Sequence, residues 1–541
     1  MKSGHNHSMP DQAKEIKTVA EVWSGAFAWI LARLLLALML LLPFALGCFV
    51  GGVALHDPDT CWLLALGRYI FEHHALPPTD PFSYTFALRS GTPFVMYQWL
   101  SELAFYCAYK LNGLPGLLAF AALLLGQSFL VFPLRLASRF SPVCLAALLT
   151  IIGLFASCFH YLVRPEIMSY IFMSFCLVLL RRIYSAKNND PVQWFTVGSF
   201  TVLMFAWANA HSAFVLGLLL EIVILLVTKL QSIVQKTPFL GSSKTALFAL
   251  IGSFLATFFN PYGIGLWSYL PGLFFAKFNY RIAELRPIRF SDLNDFTYYP
   301  FVFLVIVSCW IIFNAFRYAR ESGQAVKWSN LVVIAICIFY GFKARRIIPF
   351  SVLMIISQVS ELWLPKPAAK NSDMRKLSFA QAFEKNFAGI FNPSTFVWPM
   401  TVAALSLAGC YFTFSKVVSP TIPQMSKAFL PPVKIIDFLR LNKQTGNVLN
   451  DAQFGDMLIL YAPEIPVFID TRYDMHGEPM VADYVAMMGA TGDWRALLDR
   501  YKIDWIFVPP AANLVKELKA DSHWAVVRED DTATVMRRTR P

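Results

Sequence analysis

The sequence predicts an α-helical protein that crosses a membrane about eleven times and ends in a small α/β domain outside the membrane. The composition supports this prediction, because 57% of the 541 residues are hydrophobic and only 15% are charged, whereas soluble proteins carry about 25% charged residues. Long apolar runs recur from residue 26 to residue 414. After residue 419, short β-prone runs alternate with helical patterns.

The apolar runs are long enough for membrane helices, since a span needs roughly 20 apolar residues and fewer inside a bundle. They cover residues 26–53, 114–131, 145–159, 167–180, 195–207, 214–227, 246–259, 301–313, 331–342, 347–364 and 396–414. The first run is too long for a cleaved signal peptide, and no clear cleavage site follows it. We therefore expect it to be a retained helix.

The basic residues are concentrated in alternate loops. If the N-terminus is cytoplasmic, every inner loop is basic, as the positive-inside rule requires. The segment 343–346 breaks this rule, because the same topology places its basic residues Arg345 and Arg346 outside. The net charge of +12 is therefore explained by membrane topology, and we predict no nucleic-acid partner.

The same topology places most polar residues with possible chemistry at the outer face. They are His56, Asp57, Asp59, His73, His74, Asp80, Glu102, His160, Arg164, Glu166, Asn209, His211, Asn260, Glu284, Arg345, Arg346, His476 and His523. An alternating transporter carries its ionisable groups near the midplane of the membrane. Glu221 is the one acid that this topology places deep in a span, so the pattern favours chemistry at one face.

The chain is predicted to have three parts. Residues 1–24 form a cytoplasmic leader, residues 25–416 form the transmembrane domain, and residues 417–541 form the external α/β domain. Two external loops, 54–98 and 260–300, interrupt the transmembrane domain. The β-prone runs of the last part are 447–450, 467–470, 505–508, 525–528 and 533–536, and their alternation with helices predicts a largely parallel sheet.

The first external loop contains two aspartates, Asp57 and Asp59, one residue apart. Charge beside a bilayer is costly and usually functional. Two acids at this spacing can bind a divalent cation such as Mg²⁺ or Mn²⁺, or one of them can act as a general base. The sequence leaves the division of roles open. In the alternative interpretation, one of the two caps the helix that starts near Thr60.

Several segments resemble those of the GT-C glycosyltransferases, polytopic membrane proteins that use polyprenyl-phosphate-linked sugars outside the cytoplasmic membrane. The segments are Asp57-Pro58-Asp59-Thr60-Cys61-Trp62, Gly67-Arg68, residues 76–84 and 98–102, His160 with Arg164-Pro165-Glu166, residues 207–211, 260–263 and 450–456, and Phe468-Ile469-Asp470-Thr471-Arg472. The sequence departs from the family pattern at Leu64 and Ala65, where a histidine usually follows the tryptophan.

The resemblance implies an enzyme of the bacterial inner membrane with a GT-C-like fold. Its partners would be membrane lipids, a polyprenyl-phosphate-linked sugar as donor, and a glycan, lipid or protein as acceptor, with inversion at the anomeric carbon. Such a reaction needs a base, a positive group for the departing phosphate and a groove for the prenyl chain. Two other interpretations stay open: a transporter or flippase for lipid-linked glycans, and an assembly scaffold, which the missing histidine allows.

Two further acids, Asp80 and Glu102, are candidate catalytic residues. Asp80 precedes Pro81, so its other interpretation is a turn cap. Glu102 follows Trp99 in an apolar helical stretch and either faces a cavity or pairs with Arg68.

The candidate substrate-binding residues include three arginines, Arg164, Arg345 and Arg346, because the guanidinium fork suits phosphate oxygens. The alternatives are contact with lipid headgroups and, for Arg164, an ion pair with Glu166. Histidines near helix ends can bind substrate or metal. The remaining candidates are His160, Glu166, Asn209 and His211.

The segment Asp470-Thr471-Arg472 follows a β-prone run. Open α/β sheets place ligand contacts at strand ends, although a local ion pair explains the segment equally well. We interpret the C-terminal domain as a platform for the acceptor or for a partner protein.

Overall fold

The computed structural model describes residues 9–53, 57–88, 94–188, 190–275, 283–289, 296–363, 378–417, 433–442 and 445–539. All predicted site residues lie within these ranges, whereas His56 lies outside the described residues. A helical bundle precedes a smaller part that contains the β-strands. The bundle helices are α1 Met9–Val53, α2 Asp59–His73, α3 Trp99–Gly126, α4 Phe132–Ala137, α5 Val143–Ser157, α6 Glu166–Ser185, α7 Trp194–Ala210, α8 Phe214–Gln235, α9 Ser243–Ala256, α10 Ile264–Phe274, α11 Tyr299–Ser322, α12 Trp328–Lys343, α13 Ile348–Glu361, α14 Phe379–Ile390 and α15 Val397–Val417.

Every predicted apolar run falls on a helix. Among the described residues, the helical segments long and apolar enough to cross a membrane are Gly25–Gly52, Trp99–Ala137, Val143–His160, Glu166–Ser185, Phe214–Gln235, Tyr299–Ser322 and Val397–Ser415. The other runs lie on the shorter helices α7, α9, α12 and α13. Helix α13 is buried over nearly its whole length, so it packs inside the bundle. Helix α1 begins at Met9 and therefore extends into the predicted leader.

Helix α2, which lies within the first loop, packs against α3. Gly67 makes this close approach possible, because a Cβ atom at that position would lie 2.2 Å from the carbonyl oxygen of Glu102. Nine residues of α2 are buried, including Trp62 and Leu63. The contact between α2 and α3 therefore fixes the start of α2, which carries Asp59.

The described residues of the C-terminal part form five helices and a four-stranded sheet. Its elements are α16 Val433–Leu441, β1 Asn447–Asn450, α17 Ala452–Tyr461, α18 Tyr473–Gly489, α19 Trp494–Arg500, β2 Ile503–Val508, α20 Asn513–Lys519, β3 Trp524–Glu529 and β4 Thr534–Arg538. The strand order is β1-β2-β4-β3.

The prediction of a largely parallel sheet is wrong. Only β1 and β2 pair in parallel, whereas β4 pairs antiparallel with both β2 and β3. The reason is the short connection from Glu529 to Thr534, since a parallel pairing needs a crossover of a dozen or more residues. The predicted run 467–470 is not a strand of the sheet.

Instead, that run attaches the C-terminal part to the first loop. Val467 forms an isolated parallel bridge with Ser83. Thr85 Oγ1 donates a hydrogen bond to the carbonyl oxygen of Phe468 at 2.5 Å, and the Tyr84 hydroxyl donates to that of Val448 at 3.2 Å. Helix α17 also packs on α2. The loop that follows the first span is thus docked on residues more than 360 positions later in the chain.

Candidate functional site

Arg164 joins the two aspartates of the first loop. It lies just ahead of α6, and its Nη2 donates a hydrogen bond to Asp57 Oδ1 at 2.9 Å while Nε donates to Asp57 Oδ2. The same Nη2 lies 3.3 Å from Asp59 Oδ2. Nη1 donates to Glu284 Oε2 at 3.1 Å. Three acids from the predicted loops 54–98 and 260–300 therefore surround one guanidinium.

The two aspartates differ in exposure. The side chain of Asp57 is 4% exposed and that of Asp59 is 21% exposed. Asp57 also accepts a hydrogen bond from the backbone N–H of Asp59 at 3.4 Å, so the capping interpretation describes part of its role. Burial, opposed by Arg164 and reinforced by Asp57, raises the pKa of Asp59. Burial alone would lower the pKa of Arg164, but Asp59 and Asp57 outweigh it and raise that pKa well above its ordinary value.

A third group reaches Asp59 from the C-terminal part. Thr471 Oγ1 lies 2.6 Å from Asp59 Oδ1 and 2.8 Å from Asp456 Oδ2. Asp456 belongs to α17 and is fully buried. The residue before Asp456 is Gly455, and only glycine fits there, because a Cβ atom would lie 2.1 Å from the carbonyl oxygen of Ile469. The close approach places Asp456 beside Thr471.

Asp80 belongs to a second cluster, centred on Arg472. Arg472 Nη2 lies 3.0 Å from Asp80 Oδ1 and 2.6 Å from Asp470 Oδ2. His476 Nε2 lies 3.3 Å from the same oxygen of Asp470. Asp80 also accepts hydrogen bonds from the backbone N–H and the hydroxyl of Ser83, so the turn interpretation describes its local role. The cluster is buried and fastens the first loop to the C-terminal part.

The pKa of Asp470 reflects this cluster. Burial alone would raise it, but the charges of Arg472 and His476 together with their hydrogen bonds hold it well below its ordinary value. The segment Asp470-Thr471-Arg472 therefore combines both sequence interpretations: Asp470 and Arg472 form a local ion pair, and Thr471 points to Asp59.

Arg346 provides the second positive charge near the acids. It pairs with Glu166 at the start of α6, and its side chain is 30% exposed. Burial, followed by the neighbouring charge of Arg164, lowers the pKa of Arg346 to about 10. Glu166 pairs with Arg346, whereas the sequence offered Arg164 as its partner. The partner of Arg164 is Asp57, which reaches it from another element.

The two predicted histidines border these ion pairs. His160 Nδ1 lies 4.0 Å from Glu284 Oε1, and the ring is buried. His211 Nε2 lies 3.9 Å from Glu166 Oε1, while its Nδ1 shares a hydrogen bond of 2.9 Å with the Ser169 hydroxyl. Both rings therefore lie beside acids that hold an arginine.

Three further predicted residues have contacts with other parts of the bundle. Asn209 has structural partners, since it accepts from Trp99 Nε1 at 2.9 Å and donates to the carbonyl oxygens of Phe205 and Phe259. Arg345 packs over the Tyr298 ring at 5.1 Å. Glu102 is buried in the first turn of α3, and no ion pair joins it to Arg68 within the described ranges.

Four residues of the site were not among the predicted catalytic or substrate-binding residues, although the segment Asp470-Thr471-Arg472 was named as a place for ligand contacts. They are Glu284, Asp456, Thr471 and Arg472. Segments that include Asp456, Thr471 and Arg472 carry the family resemblance, and the topology placed Glu284 at the outer face. Their contacts with the first loop and Arg164 are tertiary, so residue spacing gives no signal for them.

A divalent cation bound by Asp57 and Asp59 would need several oxygen ligands, which such ions prefer. Arg164 already donates to both oxygens of Asp57 and approaches Asp59, whose Oδ1 is occupied by Thr471. A cation between the carboxylates would meet the guanidinium. No group of three or more His, Cys, Asp or Glu side chains in the described part of the chain is arranged to hold a metal ion. The predicted metal role of Asp57 and Asp59 therefore does not fit this arrangement.

The chain shares the fold of solved GT-C glycosyltransferases, the class that its sequence resembles. The chain is similar to the oligosaccharyltransferase of Archaeoglobus fulgidus in its apo form, with a TM-score of 0.51, 13% sequence identity, and coverage of 87% of this chain and 69% of that one. The same organism's AglB in complex with an inhibitory peptide and a dolichol-phosphate has a TM-score of 0.51 and 12% sequence identity, with coverage of 87% of this chain and 69% of that one. ArnT from Cupriavidus metallidurans in the apo state has a TM-score of 0.49 and 14% sequence identity, with coverage of 94% of this chain and 98% of that one. No protein-family model and no curated protein sequence matches the chain.

Proposed function

We propose that this membrane protein is a glycosyltransferase that moves a sugar from a polyprenyl-phosphate donor to a glycan, lipid or protein acceptor outside the cytoplasm. The observation that carries the proposal is the cluster of Asp57, Asp59 and Arg164, with Arg346 beside it. A partly exposed carboxylate and two guanidinium groups are what such a displacement needs: a base, and positive charge for the departing phosphate.

The contacts favour different roles for the two aspartates. Both oxygens of Asp57 are hydrogen-bonded to Arg164 and the side chain is buried, so Asp57 orients the arginine. Asp59 is more exposed and has the longer contact with Arg164, 3.3 Å. A base must reach the proton that it removes. Asp59 is therefore our candidate for the general base.

The proposed reaction is a direct displacement with inversion, written here for an acceptor hydroxyl. Asp59 takes the hydroxyl proton while the oxygen forms a bond with the anomeric carbon. The bond from that carbon to the phosphate oxygen breaks, and its electron pair stays on the phosphate. Arg346 and Arg164 stabilise the new negative charge, because guanidinium groups bind phosphate oxygens through paired hydrogen bonds.

The structural comparison supports the class of donor. The Archaeoglobus fulgidus AglB, which has the same fold, was solved with a dolichol-phosphate and an inhibitory peptide. The distribution of basic loops supports a cytoplasmic N-terminus and an external site, which in a bacterium means the outer side of the inner membrane. A lipid donor is consistent with a site at the end of a membrane bundle.

The lipid content of cells tests the proposed function. We expect cells that lack the gene to accumulate a polyprenyl-phosphate-linked sugar and to lose the corresponding glycan modification. Expression of the wild-type protein should reverse both changes. A flippase would instead leave the lipid-linked sugar on the cytoplasmic side, which its resistance to an external glycosidase would reveal. Unchanged lipids and glycans would contradict the proposal.

Removal of divalent cations should have little effect on transfer. Because Arg164 lies between the two aspartates, we expect membranes treated with EDTA to keep their transfer rate within about twofold. Arginine already supplies the positive charge that a cation would bring. A complete loss of activity in EDTA, restored by Mg²⁺ or Mn²⁺, would show that the guanidinium moves aside for a metal ion bound to Asp57 and Asp59.

An Arg346→Gln substitution should weaken binding of the lipid donor. A hydrogen bond to a charged group contributes about 1.5–3 kcal/mol, so we expect the apparent Kd for a polyprenyl phosphate without sugar to rise roughly 10- to 150-fold. Glu166 would lose its partner, and the double variant with Glu166→Gln separates this loss from donor binding. Arg345→Gln is the matched control, since Arg345 packs on Tyr298. Equal affinities of the Arg345 and Arg346 variants would contradict the assignment.

A further inference from the structure

The hydroxyl of Thr471 lies between two carboxyl groups. It is within hydrogen-bonding distance of Asp59 and Asp456, at 2.6 and 2.8 Å, and the backbone N–H of Thr471 donates to Asp456 Oδ1 at 3.1 Å. A threonine hydroxyl carries one proton, so it donates to only one of the two carboxyls. The other contact is a hydrogen bond only if that carboxyl is protonated and donates to Oγ1.

The surroundings identify Asp456 as the protonated partner. Asp59 faces the guanidinium of Arg164, which favours its ionised form. Asp456 is fully buried, and within the described ranges it forms no ion pair. Burial, followed by the charges of Asp59 and Asp470, raises the pKa of Asp456 well above its ordinary value. Asp456 therefore donates to Thr471, and Thr471 donates to Asp59.

We propose that Thr471 and the neutral side chain of Asp456 are positioning residues, which hold Asp59 in the orientation of a general base so that the C-terminal part completes the catalytic site. This inference rests on the proposed function and assigns to the C-terminal part a role in turnover. That role differs from the platform for acceptors or partners that the sequence indicated.

The distances around Arg164 show what the hydroxyl prevents. Charge-assisted hydrogen bonds between nitrogen and oxygen are about 2.7–2.9 Å long. Arg164 Nη2 reaches Asp57 at 2.9 Å but remains 3.3 Å from Asp59. Thr471 holds the opposite oxygen of Asp59 at 2.6 Å. Without this bond, Asp59 would turn towards Arg164 and its carboxylate would be less available to an acceptor.

A purely structural role for Thr471 is the competing explanation, since the contact also joins the C-terminal part to α2. Thr85 provides the matched control. Its hydroxyl joins the same two parts of the chain by donating to the carbonyl oxygen of Phe468 at 2.5 Å, and within the described ranges it has no hydrogen bond to Asp57, Asp59 or Asp456. Thr85→Val and Thr471→Val each remove one threonine hydroxyl from this junction, and only the second removes a bond to Asp59.

The test uses the full-length protein and, as donor, the lipid-linked sugar extracted from cells that lack the gene. We expect Thr471→Val to lower kcat about 10- to 100-fold with KM for the lipid unchanged within about threefold, because binding of the lipid phosphate does not involve Thr471. Thr471→Ser, which restores a hydroxyl, should recover the rate to within about threefold of the wild type. Thr85→Val should retain the wild-type kcat.

Two variants of Asp456 test its protonation. In Asp456→Asn, the side-chain amide can donate to Thr471 Oγ1 and its oxygen can accept from Thr471 N–H, so we expect a kcat within about threefold of the wild type. Asp456→Ala removes both bonds and should resemble Thr471→Val. If Asp456→Asn loses as much activity as Asp456→Ala, Asp456 is ionised and the proposed direction of the hydrogen bonds is wrong.

The outcomes separate this inference from the proposed function. If the wild-type protein does not consume the extracted donor, the proposed function fails. If the wild type is active but Thr471→Val and Thr85→Val lose activity equally, or if neither loses any, the function stands and the positioning role is refuted. If Thr471→Val does not accumulate as a folded protein, Asp456→Asn and Asp456→Ala decide the question, because the first keeps both bonds to Thr471 and the second removes them.

Discussion

An Asp59→Asn protein should fold as the wild type does and transfer sugar at least about 100-fold more slowly, since a positioned general base contributes roughly 10²- to 10⁴-fold to a rate. Asparagine has nearly the shape of aspartate and its oxygen can still accept from Thr471, so the junction with the C-terminal part is retained. The measurement is turnover of the lipid-linked sugar by the purified variant, with the melting temperature in detergent as the check on folding.

Asp57→Asn is the control for this prediction. Asp57 holds Arg164 through both of its oxygens, so its loss should lower the melting temperature and slow transfer less than Asp59→Asn does. An Asp59→Asn protein with more than a tenth of the wild-type rate would refute Asp59 as the base. If Asp57→Asn were the inactive variant with unchanged stability, the two roles would have to be exchanged.

The pH dependence of the rate gives a second measure of Asp59. Burial, opposed by Arg164 and reinforced by Asp57, raises its pKa above the ordinary value of 3.8. A base acts only when it is deprotonated, so the wild-type rate should fall as the pH drops through this raised pKa. The residual rate of Asp59→Asn should not show that fall, because the amide does not titrate.

The transmembrane helices were predictable because their signal is local. A run of apolar residues long enough to cross a bilayer is readable in any window of the sequence, and each such run falls on a helix. The alternation of loops between the spans also predicted that polar residues collect at one face. Asp57, Asp59, Arg164 and Arg346 were all named on that basis, and the structure brings them together.

Partners within the site were not predictable, because they depend on tertiary packing. Glu166 lies two residues from Arg164 in the sequence, yet it pairs with Arg346, which reaches it from the end of α12. Thr471 is 412 positions from Asp59. The metal interpretation depends on the fold in the same way: two acids at this spacing suit a cation or a guanidinium, and in the structure Arg164 contacts both of them.

The sheet, in contrast, could have been predicted better. The β-prone runs 525–528 and 533–536 are separated by only a few residues, among them Asp530 and Asp531. Such a short connection permits a hairpin and excludes a parallel crossover. Strands and helices alternate in the earlier part of the domain, and there β1 and β2 do pair in parallel. The same prediction was wrong for β3 and β4, which form a hairpin.

Replacement of Arg164 by glutamine should be the most damaging single change to stability. The guanidinium, 17% exposed, lies within ion-pair distance of Asp57, Asp59 and Glu284. Removing one partner of a buried ion pair typically destabilises a protein by about 3–5 kcal/mol, because it leaves an uncompensated charge. We expect a lower yield of folded protein, a lower melting temperature and no measurable transfer.

Two further variants separate the charge of Arg164 from its shape. Arg164→Lys keeps the charge, but an ammonium cannot donate to both oxygens of Asp57 while reaching Asp59 and Glu284, so stability should return in part while transfer stays low. The double variant Arg164→Gln with Asp57→Asn removes a positive and a negative charge together, and it should melt higher than Arg164→Gln alone. If the double variant is no more stable than the single one, the carboxylates are not what destabilises it, and Arg164 is not the residue that holds the acids together.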